Sequence, residues 1–197
     1  MDANRFKGQS AFVTGSATGI GEACARKLAA GGAAVAICDF NEEGGRRVAE
    51  DIGNSGGQAV YIKADLTDWE QTQAAVVGFK DRHGRLDILV HSAGGFPKYV
   101  SLLDCPVDAW DAVVNSNLKS MFYLLKVAAP LMIEGGYGRF VSLSSMAARS
   151  GVNPNPPHYT AAKAGVLGLT RQAASELGPH GITVNAVAPA NVLTPRT

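Results

Sequence analysis

Short apolar runs alternate with longer stretches of three-and-four spacing along almost the whole chain. The runs predict strands near residues 10–14, 33–38, 58–64, 86–91, 138–144 and 182–188. Helical spacing fills 19–31, 41–54, 68–82, 107–134 and 159–177, with Ile20, Ala23, Cys24 and Leu28 tracing the first apolar stripe. Runs such as Leu86-Asp-Ile-Leu-Val90 and Ile182-Thr-Val-Asn-Ala-Val187 read as strands covered by helices on both faces. Regular β-α alternation predicts an α/β fold: a single doubly wound parallel sheet with right-handed crossovers and helices on both faces. No linker, repeat or low-complexity segment interrupts it, so residues 1–197 read as one domain. Ligands in such sheets sit beyond the carboxyl ends of the strands. That rule gathers Gly15–Gly21, Asp39, Asp65, Ala93, Gly94, Ser144, Ser145 and Pro189 on one rim.

Composition narrows the classes. With 46% hydrophobic residues and 23 glycines in 197, the chain can bury a sizeable core and make many tight turns. Its 18 basic and 17 acidic residues are scattered, so no basic footprint points to nucleic acid or an anionic membrane surface. No uncharged apolar stretch approaches the roughly 18 residues of a spanning helix. The opening Met-Asp-Ala-Asn-Arg-Phe-Lys-Gly lacks a hydrophobic signal region, which predicts a cytoplasmic protein. Cys24, Cys38 and Cys105 form no C-x-x-C pair and read as packing residues, and no His/Asp/Glu cluster has ligand spacing, so no metal is expected.

The first strand runs directly into Gly15-Ser-Ala-Thr-Gly19-Ile-Gly21 and then a helix. Strand, glycine turn and helix place backbone N–H groups at a helix N-terminus, where they can face a phosphate. The spacing is G-x3-G-x-G, and a plain tight turn is the competing reading. The next strand ends at Asp39, eighteen residues after Gly21. A carboxylate there can accept from both adenosine ribose hydroxyls and would repel a 2′-phosphate, which favours NAD over NADP. Asp39 could instead open the turn and cap the helix near Asn41.

The last third carries Tyr159-Thr-Ala-Ala-Lys163, with the pair Ser144-Ser145 at the end of the preceding apolar run. Residues at i and i+4 share a helix face, and an ammonium beside a phenol favours its phenolate, as proton transfer at a carbonyl requires.

Taken in this order, the residues resemble the short-chain dehydrogenase/reductase family over essentially the whole chain. Thr14-Gly15-x-x-x-Gly19-Ile20-Gly21, which encloses Thr18, resembles its cofactor loop. Asp65-Leu66 resembles its adenine contact, and Ser145 with Tyr159-x-x-x-Lys163 its catalytic core. Pro189, followed by Val192 and Thr194, resembles the segment that holds the nicotinamide carboxamide. The resemblance implies a Rossmann-like fold and hydride transfer between NAD(H) and a secondary alcohol or ketone. Tyr159 would move the proton, Lys163 would hold the nicotinamide ribose, and Ser145 would position the carbonyl. Asn117, in Asn115-Ser-Asn117-Leu118, would retain a water that links Lys163 to solvent; Asn115 is the rival for that role. An NADPH-linked 3-oxoacyl thioester reductase is the alternative, which Asp39 disfavours, and a non-catalytic dinucleotide-binding protein is the second. Helices equivalent to 107–134 and 159–177 commonly pair between subunits, implying a homodimer or homotetramer.

The chain also departs from the family pattern. His91-Ser92-Ala93-Gly94 stands where the family has Asn-Asn-Ala-Gly; His91 is expected to replace an Asn hydrogen bond, while Ala93 and Gly94 still allow close approach of the adenosine. Ala190 replaces the Gly that usually follows Pro189. His158 could line the substrate pocket or lie on the surface. Family members usually continue past the position of Thr197 through a substrate lid and a further strand, so the last strand is expected to leave an exposed edge. Substrate choice is expected to rest on residues 96–99 and 151–157.

Overall fold

The computed structural model describes residues 4–149 and 155–194. Six strands form one parallel sheet in the order β3-β2-β1-β4-β5-β6: β1 Ser10–Thr14, β2 Ala34–Cys38, β3 Gln58–Ile62, β4 Ile88–His91, β5 Gly138–Leu143 and β6 Ile182–Val187. The order reverses direction between β1 and β4, and this switch point opens a crevice at the strands' carboxyl ends. Register aligns Cys38, Thr14, His91 and Ser142 across four neighbouring strands, so the residues after them emerge together.

Alternation along β1 sends Phe12 to one face and Ala11 and Val13 to the other. On the first face Phe12 packs edge-on to Phe79, with Leu89, Phe140, Leu124 and Val166, under helices α3 (Trp69–His83), α5 (Ser120–Glu134) and α6 (Pro157–Leu177). On the second, Val35, Ile37, Ile88 and Val90 meet Ala25 and Ala29 of α1 (Gly19–Ala30) and Val48 and Ile52 of α2 (Glu42–Asn54). Burial of one such aliphatic side chain contributes about 1.5–3 kcal/mol, so these two layers supply most of the drive for assembly.

Two expectations change. The single helix over 107–134 is α4 (Val107–Val114), a π turn (Asn115–Lys119) and α5 in continuous succession. Hydrophobic spacing cannot register the extra residue of a π turn when apolar positions lie on both sides. The run at β6 is not covered on both faces among the described residues: Ile182 and Val184 are buried under α6, while Thr183, Asn185 and Val187 alternate with them and are exposed. Its polar Thr and Asn already carry the period-two signal of a half-covered strand.

Candidate active site

The glycine loop is shaped as much by its own packing as by any ligand. Gly15 has φ +61°, and a Cβ there would lie 2.8 Å from the backbone of Ala93. A Cβ on Gly21 would lie 2.1 Å from the Gly15 carbonyl oxygen, so α1 can start this close to β1 only without one. Gly19, φ +61°, faces Thr194, whose side chain would be 3.4 Å from an added Cβ; the segment after β6 therefore returns over the loop. Pro189 reaches the same rim through its carbonyl, which accepts the Met146 N–H at 3.0 Å, and Val192 is exposed beyond it.

The helix starts differ in a telling way. Asn41 caps α2 by accepting from Gly44 N at 3.1 Å, and Asp68 caps α3 by accepting from Gln71 N at 2.9 Å. Thr18, at the N-cap of α1, makes no such bond. Among the described residues no side chain caps the first-turn N–H groups of α1, which lie beneath a glycine turn and at the positive end of the helix dipole. A diphosphate fits such a start.

Asp39 is half-buried, with Oδ2 accepting from Ala17 N at 3.0 Å and Oδ1 from Asn41 N at 2.9 Å. Its carboxylate thus joins the glycine loop to the end of β2. It does not cap α2; Asn41 does, because its side chain sits one residue before the helix. Helix α2 brings a cation, Arg47, to the loop, its Nη2 3.2 Å from the Ala17 carbonyl. Glu22 and Asp51 engage the guanidinium at 3.0 and 3.5 Å, so it brings no uncompensated charge. Burial raises the Glu22 carboxyl, but hydrogen bonds from Arg47 and Arg26 outweigh it and hold the group below its ordinary value. Arg47 lies on the turn of α2 that faces α1, a relation visible only once the two helices pack. Asp65, after β3, is exposed and folds its own turn by accepting from Thr67 N and Oγ1, while Leu66 is buried in the core.

The second half of the rim is built from buried polar side chains. Thr14 Oγ1 accepts from both Ser92 N and Ala93 N at 3.2 Å, tying β1 to the loop after β4. Gly94, φ +118°, passes so close to the π turn that a Cβ would lie 2.4 Å from Asn117 Oδ1. Asn117 is fully buried; its Oδ1 accepts from Gly95 N at 2.7 Å and its Nδ2 donates to Gly95 O and Val113 O at 2.8 Å. The rival Asn115 is only half-buried, in the same turn.

Ser144 and Ser145 diverge. Ser144 is buried, and its hydroxyl donates to the Lys163 carbonyl at 2.8 Å. Ser145 is half-buried and accepts from Ala147 N at 3.1 Å, and among the described residues no acceptor takes its proton. Lys163 is 4% exposed; its Nζ donates to Leu143 O at 2.7 Å and lies 5.6 Å from the centre of the Tyr159 ring. Tyr159 also packs against Phe96, ring centres 4.7 Å apart, which makes an aromatic wall beside the phenol. Phe96 belongs to the 96–99 segment expected to bear on substrate choice; its contact with Tyr159 is a tertiary fact. Residues 151–154 of the other expected wall lie outside the described residues.

His91 is buried between Ser142 and Ser120, in line with a structural histidine. His158 is buried as well, which overturns a surface position: α6 begins at Pro157, two residues earlier than its periodicity indicates, and turns the ring inward. Burial pushes the His158 imidazole below its ordinary value. His83 lies in the last turn of α3, where the dipole favours a cation, yet burial and Arg82 push its imidazole down. No group of His, Cys, Asp or Glu among the described residues could hold a metal ion. Among them, too, no helix is long and apolar enough to cross a membrane.

The comparisons agree with this geometry. A 2-dehydro-3-deoxy-L-rhamnonate dehydrogenase (NAD(+)) of Sphingomonas sp. strain SKA58 is 37% identical over 98% of this chain and 76% of its own length. A trans-4-hydroxycyclohexanecarboxylate dehydrogenase of Sinomonas cyclohexanicum is 40% identical over 98% and 76%. A 3-oxoacyl-[acyl-carrier-protein] reductase of Synechocystis sp. strain PCC 6803 is 37% identical over 96% and 76%. The crystal structure of a dehydrogenase/reductase from Sinorhizobium meliloti 1021 superposes with a TM-score of 0.92 at 36% identity, covering 100% of this chain and 77% of that one. Residues 9–197 match the short chain dehydrogenase profile; with the glycine loop, Ser145, Tyr159 and Lys163 meeting on one rim, the chain belongs to the short-chain dehydrogenase/reductase family of oxidoreductases.

Proposed function

We propose that this protein interconverts a secondary alcohol and a ketone with NAD(H) as the hydride partner. The observation that carries this reading is the placement of the Lys163 ammonium 5.6 Å from the Tyr159 ring centre, held by the Leu143 carbonyl, on the same rim as the α1 start that Thr18 does not cap. When bound, the nicotinamide gives or takes the hydride. Tyr159 passes a proton to or from the substrate oxygen, and the fixed positive charge of Lys163 stabilises the phenolate left behind. Ser145 donates its proton to the same oxygen and holds it near attack distance. Asn117 contributes through its clamp on Gly95 and the π turn, since its amide already serves Gly95 and Val113.

For the cofactor, we propose that Gly15, Thr18, Gly19, Ile20 and Gly21 enclose the diphosphate and Asp39 accepts from the adenosine ribose. Asp65, Leu66, Ala93 and Gly94 border the adenosine, with Tyr159 and Lys163 at the nicotinamide ribose and Pro189, Val192 and Thr194 at the carboxamide. The compensation of Arg47 by Glu22 and Asp51 supports NAD over NADP, as does the NAD(+)-dependent relative. Exposed Val107, Trp110 and Phe122 along the α4–α5 helix support a homodimer or homotetramer paired there. We place the protein in the cytoplasm, acting on a small-molecule substrate as one domain.

Fluorescence titration with NADH and NADPH tests the cofactor assignment. NADH is expected to bind at least tenfold more tightly, and Asp39→Ala to narrow the ratio. Equal affinities in the unaltered protein, or an unchanged ratio in the variant, would remove Asp39 from the ribose site.

A further inference from the structure

The proposed chemistry makes no use of His91, yet the ring stands between the two segments that seat it. His91 ends β4 and is inaccessible to solvent; Nδ1 lies 3.1 Å from Ser142 Oγ and Nε2 3.0 Å from Ser120 Oγ. Ser120 Oγ also lies 2.8 Å from the Ser116 carbonyl oxygen. A carbonyl can only accept, so the single hydroxyl proton of Ser120 is committed to Ser116. Towards Nε2, Ser120 can therefore act only as acceptor, and Nε2 carries the ring proton. In a neutral ring Nδ1 is then bare, and it accepts from Ser142. Burial, with the nearby Lys163 charge, pushes the imidazole down to about 3 and keeps it neutral. The hydrogen bonds thus run one way, from Ser142 through His91 and Ser120 to Ser116.

Both ends of that chain adjoin the active site. Ser142 precedes Leu143, whose carbonyl receives Lys163 Nζ at 2.7 Å. Ser116 lies in the π turn and precedes Asn117, which clamps Gly95. We infer that His91 is a positioning residue: as the Nε2–H tautomer it braces the β5 end that seats Lys163 against the π turn that seats Asn117. This rests on Lys163 and Asn117 belonging to the active site. An imidazole suits the task because its donor and acceptor lie on opposite edges of a rigid ring, and two small serines leave room for it between β5 and α5.

Two measurements test it on the full chain. With ¹⁵N-labelled histidine, one of the four histidines, identified by its loss in His91→Gln, should report a neutral Nε2–H ring from pH 8 to pH 5. A ring protonated on Nδ1, or one that titrates near its ordinary value, overturns the inference without reference to turnover. In kinetics, His91→Leu should lower kcat by about tenfold or more while the KM for NADH changes less than about threefold, and His91→Gln should recover part of the loss. Should His91→Leu fail to fold, Ser142→Ala removes the first donor and should show the same split in kcat against KM. An unchanged kcat in a folded variant overturns the positioning role. Absence of turnover in the unaltered protein with any secondary alcohol or ketone would sink the proposed function, and the tautomer measurement would still decide whether the directed chain exists.

Discussion

The two halves of the rim reach the same precision by opposite means. On the β1–β2 side, close approach is achieved by leaving side chains out: Gly15 against Ala93, Gly21 against Gly15, and an N-cap hydroxyl that withholds its cap from α1. Its charged groups, Glu22, Arg26, Arg47 and Asp51, form a partly exposed ion network of the kind worth about 0–1 kcal/mol per pair. On the β4–β5 side the reverse holds. His91, Asn117, Ser120, Ser142, Ser144 and Lys163 are all buried polar groups, and the buried Thr14 of β1 reaches across to bond the loop after β4. Leaving any one of them unpaired would cost about 1–3 kcal/mol, so each constrains its neighbours. On the proposed reading this is a division of labour: the region proposed to receive the diphosphate presents backbone and open space, and the region proposed to orient the reacting atoms uses mutually satisfied side chains.

The sharpest way to break this comparison is to remove one atom from the chemistry. Tyr159→Phe keeps the ring that packs on Phe96 and should lower kcat by about 10²–10⁴-fold while NADH affinity holds; turnover within a few-fold of the unaltered enzyme would take Tyr159 out of the mechanism.

Next in size is the glycine side. Gly21 lies within α1, where helix propensity alone would make Ala the better residue by about 1 kcal/mol. The 2.1 Å approach of its Cβ to a backbone oxygen opposes this, and overpacking of that kind costs about 1–3 kcal/mol or more. Gly21→Ala should therefore lower Tm and weaken NADH binding. Gly78→Ala, within α3 where an added Cβ meets nothing within 4 Å, should raise Tm. Both variants moving Tm in the same direction would refute the packing account of Gly21.

The smallest effect concerns acid. The folded His91 takes its proton near 3, whereas an unfolded histidine does so near 6.5. The unfolded state therefore binds more protons between these values. Stability is full above about pH 6.5 and falls as the pH drops through that window, by on the order of 2 kcal/mol at pH 5. The downward shifts of His83 and His158 act in the same direction. Chemical denaturation at pH 7.5 and 5 should show the loss, and His91→Gln should reduce it; an identical slope in the variant would mean that His91 does not carry it.

Much of the fold is legible from periodicity because the sheet is covered on two faces over most of its width and its helices are long enough to show their stripe. The π turn at Asn115–Lys119 is not, since one extra residue in a helix apolar on several sides leaves no break in spacing. The open face of β6 is half legible, in Thr183 and Asn185. In the site, Ser145 rather than Ser144, and Asn117 rather than Asn115, follow from the resemblance. That Ser144 is committed to the Lys163 carbonyl, and that the Asn117 amide is buried and saturated, depends on the packed neighbours. Arg47 and Phe96 carry no local signal; α1–α2 packing and the path of the loop after β4 bring them to the site.

By itself, then, the amino-acid sequence determined the strand and helix order and the parallel doubly wound class, and it nominated the chemistry-bearing residues. These depend on local spacing and on turn chemistry, which neighbouring residues specify. Only the tertiary structure decided which hydroxyl is committed to a carbonyl, which imidazole nitrogen carries a proton, and where the Lys163 charge rests. Hydrogen-bond direction is settled by local bonds, such as Ser120 to Ser116, together with partners that face each group across the fold, as Lys163 faces Ser144 from 19 residues away and Ser142 faces His91 from 51.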